Sequence, residues 1–127
     1  MQKIGIDLDD TITKYPQFFS QLSQLWISAG GEVYIITFRS SCNPHVEQEL
    51  LASYGIAYTD VIYANKDDDS KAKAIKELGV EVMFDDMPEF LIHVESDVAC
   101  FLVRHEATNF DYNTKQFVFT KHTGRLH

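Results

Sequence analysis

Hydrophobic residues along this chain come in blocks that switch between two spacings. Short β-branched and aromatic runs alternate with stretches whose apolar positions recur every three or four residues. Residues 3–8 read as a first strand. Phe18, Phe19, Leu22, Leu25, Trp26 and Ala29 then follow at helical spacing as a core stripe, stopped by Gly30-Gly31. Glu32–Thr37 is a second strand, and Asn43-Pro44 opens a helix carrying Val46, Leu50, Leu51 and Tyr54 on one face up to Gly55. Residues 60–64 form a short third strand. Ser70–Leu78 is a helix ended by Gly79, residues 80–84 a fourth strand with core Met83 and Phe84, residues 88–93 a helix of two turns at most, and residues 98–103 a fifth strand. Strands alternating with helices in this rhythm predict an α/β fold: one doubly wound, Rossmann-like domain over residues 1–127 with a central parallel sheet.

Residues 105–127 leave the rhythm. Phe110, Tyr112, Phe117 and Phe119 flank Asn113-Thr114-Lys115, the pattern of a hairpin. Aromatics suit a half-buried pleated surface, so the expectation is a C-terminal edge ribbon covering core.

In open parallel sheets, ligands bind beyond the carboxyl ends of the strands. The chain places Asp7, Asp9 and Asp10 after the first strand, Thr37 at the end of the second, and Asp85 with Asp86 after the fourth. Carboxylates are costly beside an apolar core because ionised groups lose water there. Their accumulation at one end of the sheet points to a bound cation or to chemistry.

Composition narrows the field. With 127 residues, 45% hydrophobic and 24% charged, the chain suits one globular domain. A net charge of -8 argues against a general nucleic-acid binder, which would present basic surface, and leaves room for a small phosphorylated substrate or an exposed phosphate end if a metal inverts the local field. Cys42 and Cys100 form no disulfide framework, and no signal peptide or membrane-length apolar run stands out, so a cytoplasmic protein is expected. A homo-oligomer is left open. His45, His93, His105, His122 and His127 show no metal-ligand spacing, and Cys42 has no activating histidine arrangement around it.

The segments Asp7-Leu8-Asp9-Asp10-Thr11, Ile35-Ile36-Thr37, Ser70-Lys71 and Phe84-Asp85-Asp86 resemble, in order, the four motifs of the haloacid dehalogenase (HAD) superfamily. The resemblance implies a magnesium-dependent phosphomonoester hydrolase. Asp7 would be the nucleophile that forms an aspartyl-phosphate, and Asp9 the general acid and base. Thr37 would hold a phosphoryl oxygen, and Lys71 would neutralise Asp7 and phosphate together. Magnesium would be held by Asp7, the backbone carbonyl of Asp9, and Asp85 and Asp86, with the direct ligand of the last pair left undecided. Lys71 is preferred to Lys66 and Lys73 because a lysine in the first turn of a helix opposes the helix dipole and so answers to something anionic. Thr11, Arg39 and Ser40 are the candidate substrate contacts, although Thr11 also suits a purely local role in its loop and Asp10 suits a turn. Neither the interval after the first motif nor that between the second and third has room for a cap domain.

Two other readings compete. A non-catalytic HAD-like domain could bind a metal or a phosphoprotein, but it would have no need of Asp9. A response-regulator receiver would carry its aspartate after a central third strand, where this chain has Tyr63-Ala64-Asn65.

Overall fold

Apolar alternation along the short runs builds a five-stranded, all-parallel sheet in the order β3-β2-β1-β4-β5. Its strands are β1 (Lys3–Ile6), β2 (Glu32–Thr37), β3 (Asp60–Tyr63), β4 (Val82–Asp85) and β5 (Ala99–Leu102). The helices are α1 (Pro16–Ser28), α2 (Pro44–Tyr54), α3 (Ser70–Leu78) and the single turn α4 (Pro88–Leu91). The structure, a computed structural model, describes residues 2–65, 67, 69–104 and 108–119.

Strand order reverses around β1: the chain moves outward through β2 to β3, then crosses back to β4 and β5. The helices divide accordingly. Phe19 of α1 and Leu51 of α2 pack on Ile4, Ile6, Val33 and Ile35, while Ile75 of α3 packs on Tyr34, Ile36 and Met83 on the other face. Alternation therefore sends even-numbered residues of β1 to the α1 side and odd-numbered ones to the α3 side. Gly5 lies on the α3 side because there is no room for more: a Cβ there would sit 2.7 Å from the Met83 sulfur. The third strand is an edge, not the centre, which removes the receiver-domain arrangement.

Three expectations are corrected. The α1 stripe is not all core: Phe18 is 57% and Leu25 70% exposed. The packed face is Phe19, Leu22, Ser23 and Trp26, a clean helical repeat from which Phe18 and Leu25 are each one position, about 100° of rotation, displaced. On α2, Val46 is exposed and Glu47 is buried in its place, on the face of Leu51 and Tyr54. The tail does form a hairpin, β6 (Thr108–Asp111) and β7 (Gln116–Phe119), but as a two-stranded antiparallel sheet of its own rather than an edge of the main one. Residues 105–107 and 120–127 lie outside the described residues.

No cap intervenes among the described residues. Between β1 and β2 the chain makes only the turn Leu8–Ile12 and α1, and between β2 and α3 only α2 and β3. No described helix is long and apolar enough to cross a membrane.

Candidate metal and phosphate site

Ladder register sets the geometry. Ile6 pairs with Phe84, and the Asp7 N–H donates to the Phe84 carbonyl at 2.9 Å, so Asp7 and Asp85 leave neighbouring strands side by side. Odd positions of β1 face α3, and there the first-turn lysine of α3 meets them. Lys71 Nζ donates to Asp7 Oδ1 at 2.7 Å and to Asp85 Oδ2 at 2.8 Å. Lys71 is 1% exposed, and its ammonium lies 4.7 Å from the Phe38 ring centre and 5.6 Å from that of Phe90. These two rings pack edge to face and wall the lysine in. Of the fallback lysines, Lys73 pairs with Asp69 at the surface, and Lys66 lies outside the described residues.

Thr11 closes the other side. Its hydroxyl lies 3.1 Å from Asp7 Oδ2 and 3.4 Å from Asp86 Oδ1, and the residue is fully buried. Thr11 thus bridges two carboxylates, in keeping with the local role its loop position also suited. Asp10 turns the chain, with φ 59° and its N–H donated to Thr13 Oγ1. The Asp85 carboxylate is committed on both oxygens, to Lys71 and to the Met87 N–H at 3.0 Å.

One carboxylate oxygen from each of Asp7, Asp85 and Asp86 lies within 4.8 Å of the other two, and all three residues are buried. This cluster could hold a metal ion. At that spacing each ionised pair repels by about 3 kcal/mol at an effective dielectric near 20, and Lys71 supplies one positive charge against three carboxylates. The pKa directions agree. Burial by itself lowers the Lys71 pKa, but the Asp7 and Asp85 charges outweigh it and hold the ammonium above the usual lysine range. Asp85 is pushed above the usual aspartate range, first by burial and then by Asp7, in spite of Lys71 and the Met87 N–H. The all-oxygen donors of the cluster suit a hard divalent cation.

The Asp9 side chain has a different partner. Its carboxylate is not part of the cluster and faces Arg39 instead: Nε lies 3.1 Å from Oδ2 and Nη2 2.7 Å from Oδ1. The group of Asp9 expected at the metal is its backbone carbonyl, not this carboxylate. Arg39 Nη1 reaches Glu47 Oε2 at 3.4 Å, and Glu47 Oε1 accepts the Tyr63 hydroxyl at 2.8 Å. Bonding to Asp9 raises the Arg39 pKa against its partial burial. Tyr63 is pushed up to about 12 by burial and by Glu47. Thr37 is buried at the end of β2, where its Oγ1 accepts the Arg39 N–H at 3.1 Å. Ser40 stays outside this constellation, exposed and bonded to Cys42.

Glu47, Phe38 and Phe90 were not anticipated. Glu47 had a legible signal, since it shares a helical face with Leu51 and Tyr54; the two rings had none.

A divalent cation at about 100 times its dissociation constant should stabilise the fold by about 2.7 kcal/mol, or roughly 10 °C in a domain of this size. Melting with magnesium and with chelator checks this, and Asp86→Asn should shrink the difference. The sign of the pH effect follows from Asp85. A carboxyl whose folded pKa is raised contributes stability that is complete below its unfolded value of 3.8 and lost as pH rises through the raised folded value. A cation binds the ionised form, so the magnesium-induced shift should be larger at neutral than at acidic pH.

No family model and no curated protein matches this chain. Solved structures do. A chain of a Pnkp1/Rnl/Hen1 RNA repair complex superposes with a TM-score of 0.61 at 20% identity over 81% of this chain and 42% of that one. A second Pnkp1/Rnl/Hen1 complex gives 0.59 at 20% identity, covering 81% of this chain and 46% of its counterpart. A universal stress protein in complex with cAMP gives 0.53 at 9% identity, over 80% of this chain and 96% of that one. The likeness is one of fold. The present chain spans less than half the length of the RNA-repair-complex chains it matches.

Proposed function

We propose that the chain is a magnesium-dependent phosphomonoester hydrolase of the HAD type. The observation that carries this reading is the convergence of Asp7, Lys71, Asp85 and Asp86 in one buried cluster where strand order reverses, with Asp9 two residues beyond Asp7. A metal centre alone would not need a lysine between two of its carboxylates; a site that must also accept a phosphate dianion would.

In this mechanism an Asp7 oxygen attacks phosphorus and the bond to the leaving oxygen breaks, while Asp9 gives that oxygen a proton. Water then attacks the phosphoryl group on Asp7, Asp9 takes the proton from the water, and inorganic phosphate departs. Splitting one displacement into two is the gain of covalent catalysis, and each half needs a proton carrier at the entering or departing oxygen. Lys71 holds Asp7 in place and balances charge, with Phe38 and Phe90 keeping water from its ammonium. Thr37, buried at the end of β2, would offer its hydroxyl to a phosphoryl oxygen. Asp7, Asp85, Asp86 and the Asp9 carbonyl would hold magnesium, which supplies the charge neutralisation that lets the phosphate approach. With no cap over it among the described residues, the site suits a phosphate carried on a large or extended substrate.

The alternative of a non-catalytic metal- or phosphate-binding domain draws on one observation, the Arg39 clamp on Asp9. Hydrolysis of an aryl phosphate with magnesium and with chelator separates the two. Magnesium-dependent release of phosphate is expected. Magnesium binding without turnover of any phosphomonoester would favour the binding domain.

A further inference from the structure

We infer that Arg39 is a latch on Asp9, released by a substrate that carries a second anionic group beside its phosphomonoester. This rests on the phosphatase reading. Asp7, Thr11, Thr37, Lys71, Asp85 and Asp86 are each at most 1% exposed. The side chains of Asp9 and Arg39, by contrast, are each 30% exposed, so this pair forms the solvent boundary of the site.

Both Asp9 oxygens accept from the guanidinium, at 3.1 and 2.7 Å. A proton carrier must instead come within hydrogen-bond reach of the leaving oxygen. Arg39 therefore has to turn away before Asp9 can act, and a guanidinium cannot shed its charge when it does so. Its other side-chain partner among the described residues, Glu47, is at a long 3.4 Å and is already shared with Tyr63. The reacting phosphate has Lys71 and the metal to neutralise it. A carboxylate or second phosphate on the leaving group is then what replaces Asp9 at Arg39, and the planar fork suits either. Glu47 is the positioning residue. Buried on α2 and held by Tyr63, it keeps the guanidinium at the mouth of the site through the exchange, while the Arg39 N–H bond to Thr37 fixes the backbone about which the side chain turns.

The test compares ethyl phosphate, 2-phosphoglycolate and ethane-1,2-diol bisphosphate with magnesium, in the wild type, Arg39→Gln and Glu47→Gln. The wild type should prefer the two substrates with a second anion by tenfold or more in kcat/KM, about 1.4 kcal/mol. In Arg39→Gln that preference should collapse toward one, with ethyl phosphate turned over faster because Asp9 is no longer covered. Glu47→Gln should raise KM for the bisphosphate with little change in kcat. Turnover of all three at similar efficiency by the wild type, or a preference that survives Arg39→Gln, would overturn the latch and leave the phosphatase standing. Absence of turnover for all three would count against the phosphatase. Calorimetric binding to Asp7→Asn protein then decides the latch by itself: tighter binding of the bisphosphate that is lost on adding Arg39→Gln supports it, and equal affinities overturn it.

Discussion

Asp7→Asn protein is expected to fold, to bind magnesium more weakly and to hydrolyse phosphomonoesters at least about 10⁴-fold more slowly than the wild type, the scale on which removing a covalent nucleophile acts. The amide is nearly isosteric and can still meet Thr11 and Lys71, so the contacts at 3.1 and 2.7 Å lose charge but not shape. On the proposed mechanism, phosphorus would then lack its attacking carboxylate. Single-turnover assays beside circular dichroism check both halves. Wild-type turnover in a folded Asp7→Asn protein would place the nucleophile elsewhere.

The second large effect concerns stability. Lys71→Met should cost about 3–5 kcal/mol, the range for removing one partner of a buried ion pair, and lower the melting temperature by roughly 10–20 °C. Lys71 is the cation bonded to both Asp7 and Asp85, at 2.7 and 2.8 Å. Methionine fills the space against Phe38 and Phe90 without serving the carboxylates. Magnesium should recover part of the loss, because a cation in the cluster supplies some of the missing charge, while activity stays low. Urea melts with and without magnesium measure both terms. A loss below about 1 kcal/mol, the scale of a surface pair, would mean that the carboxylates are not ionised together in the fold.

Much of the architecture was legible from local pattern. The strand Glu32–Thr37 and the helix Ser70–Leu78 occur with the bounds their apolar spacing implies. Two corrections fall on helix faces, and the third is the hairpin, which pairs with itself and not with the main sheet. Val46 and Glu47 are neighbours on one helical arc, and hydrophobicity chose the wrong one. Glu47 is buried because Arg39 from the loop after β2 and Tyr63 from β3 satisfy it, and a buried carboxylate needs such partners. The two rings around Lys71 come from the loop after β2 and from α4, and nothing in the spacing of Phe38 and Phe90 marks them as neighbours.

The order of aspartates, threonine and lysine along the chain is a property of sequence, and so is their place at strand ends. Each follows from side-chain period and turn chemistry, which act over a few residues. Which carboxylates share a cation, and which is covered by an arginine, was decided by register and strand order. Asp7 and Asp85 are 78 residues apart in number and become neighbours because β1 pairs with β4. Asp9 is two residues from Asp7 and yet leaves the cluster, because the chain turns after β1 and the loop beyond β2 brings Arg39 against it. Long-range pairing of this kind depends on the summed packing of both sheet faces, and no local stretch of the chain encodes it.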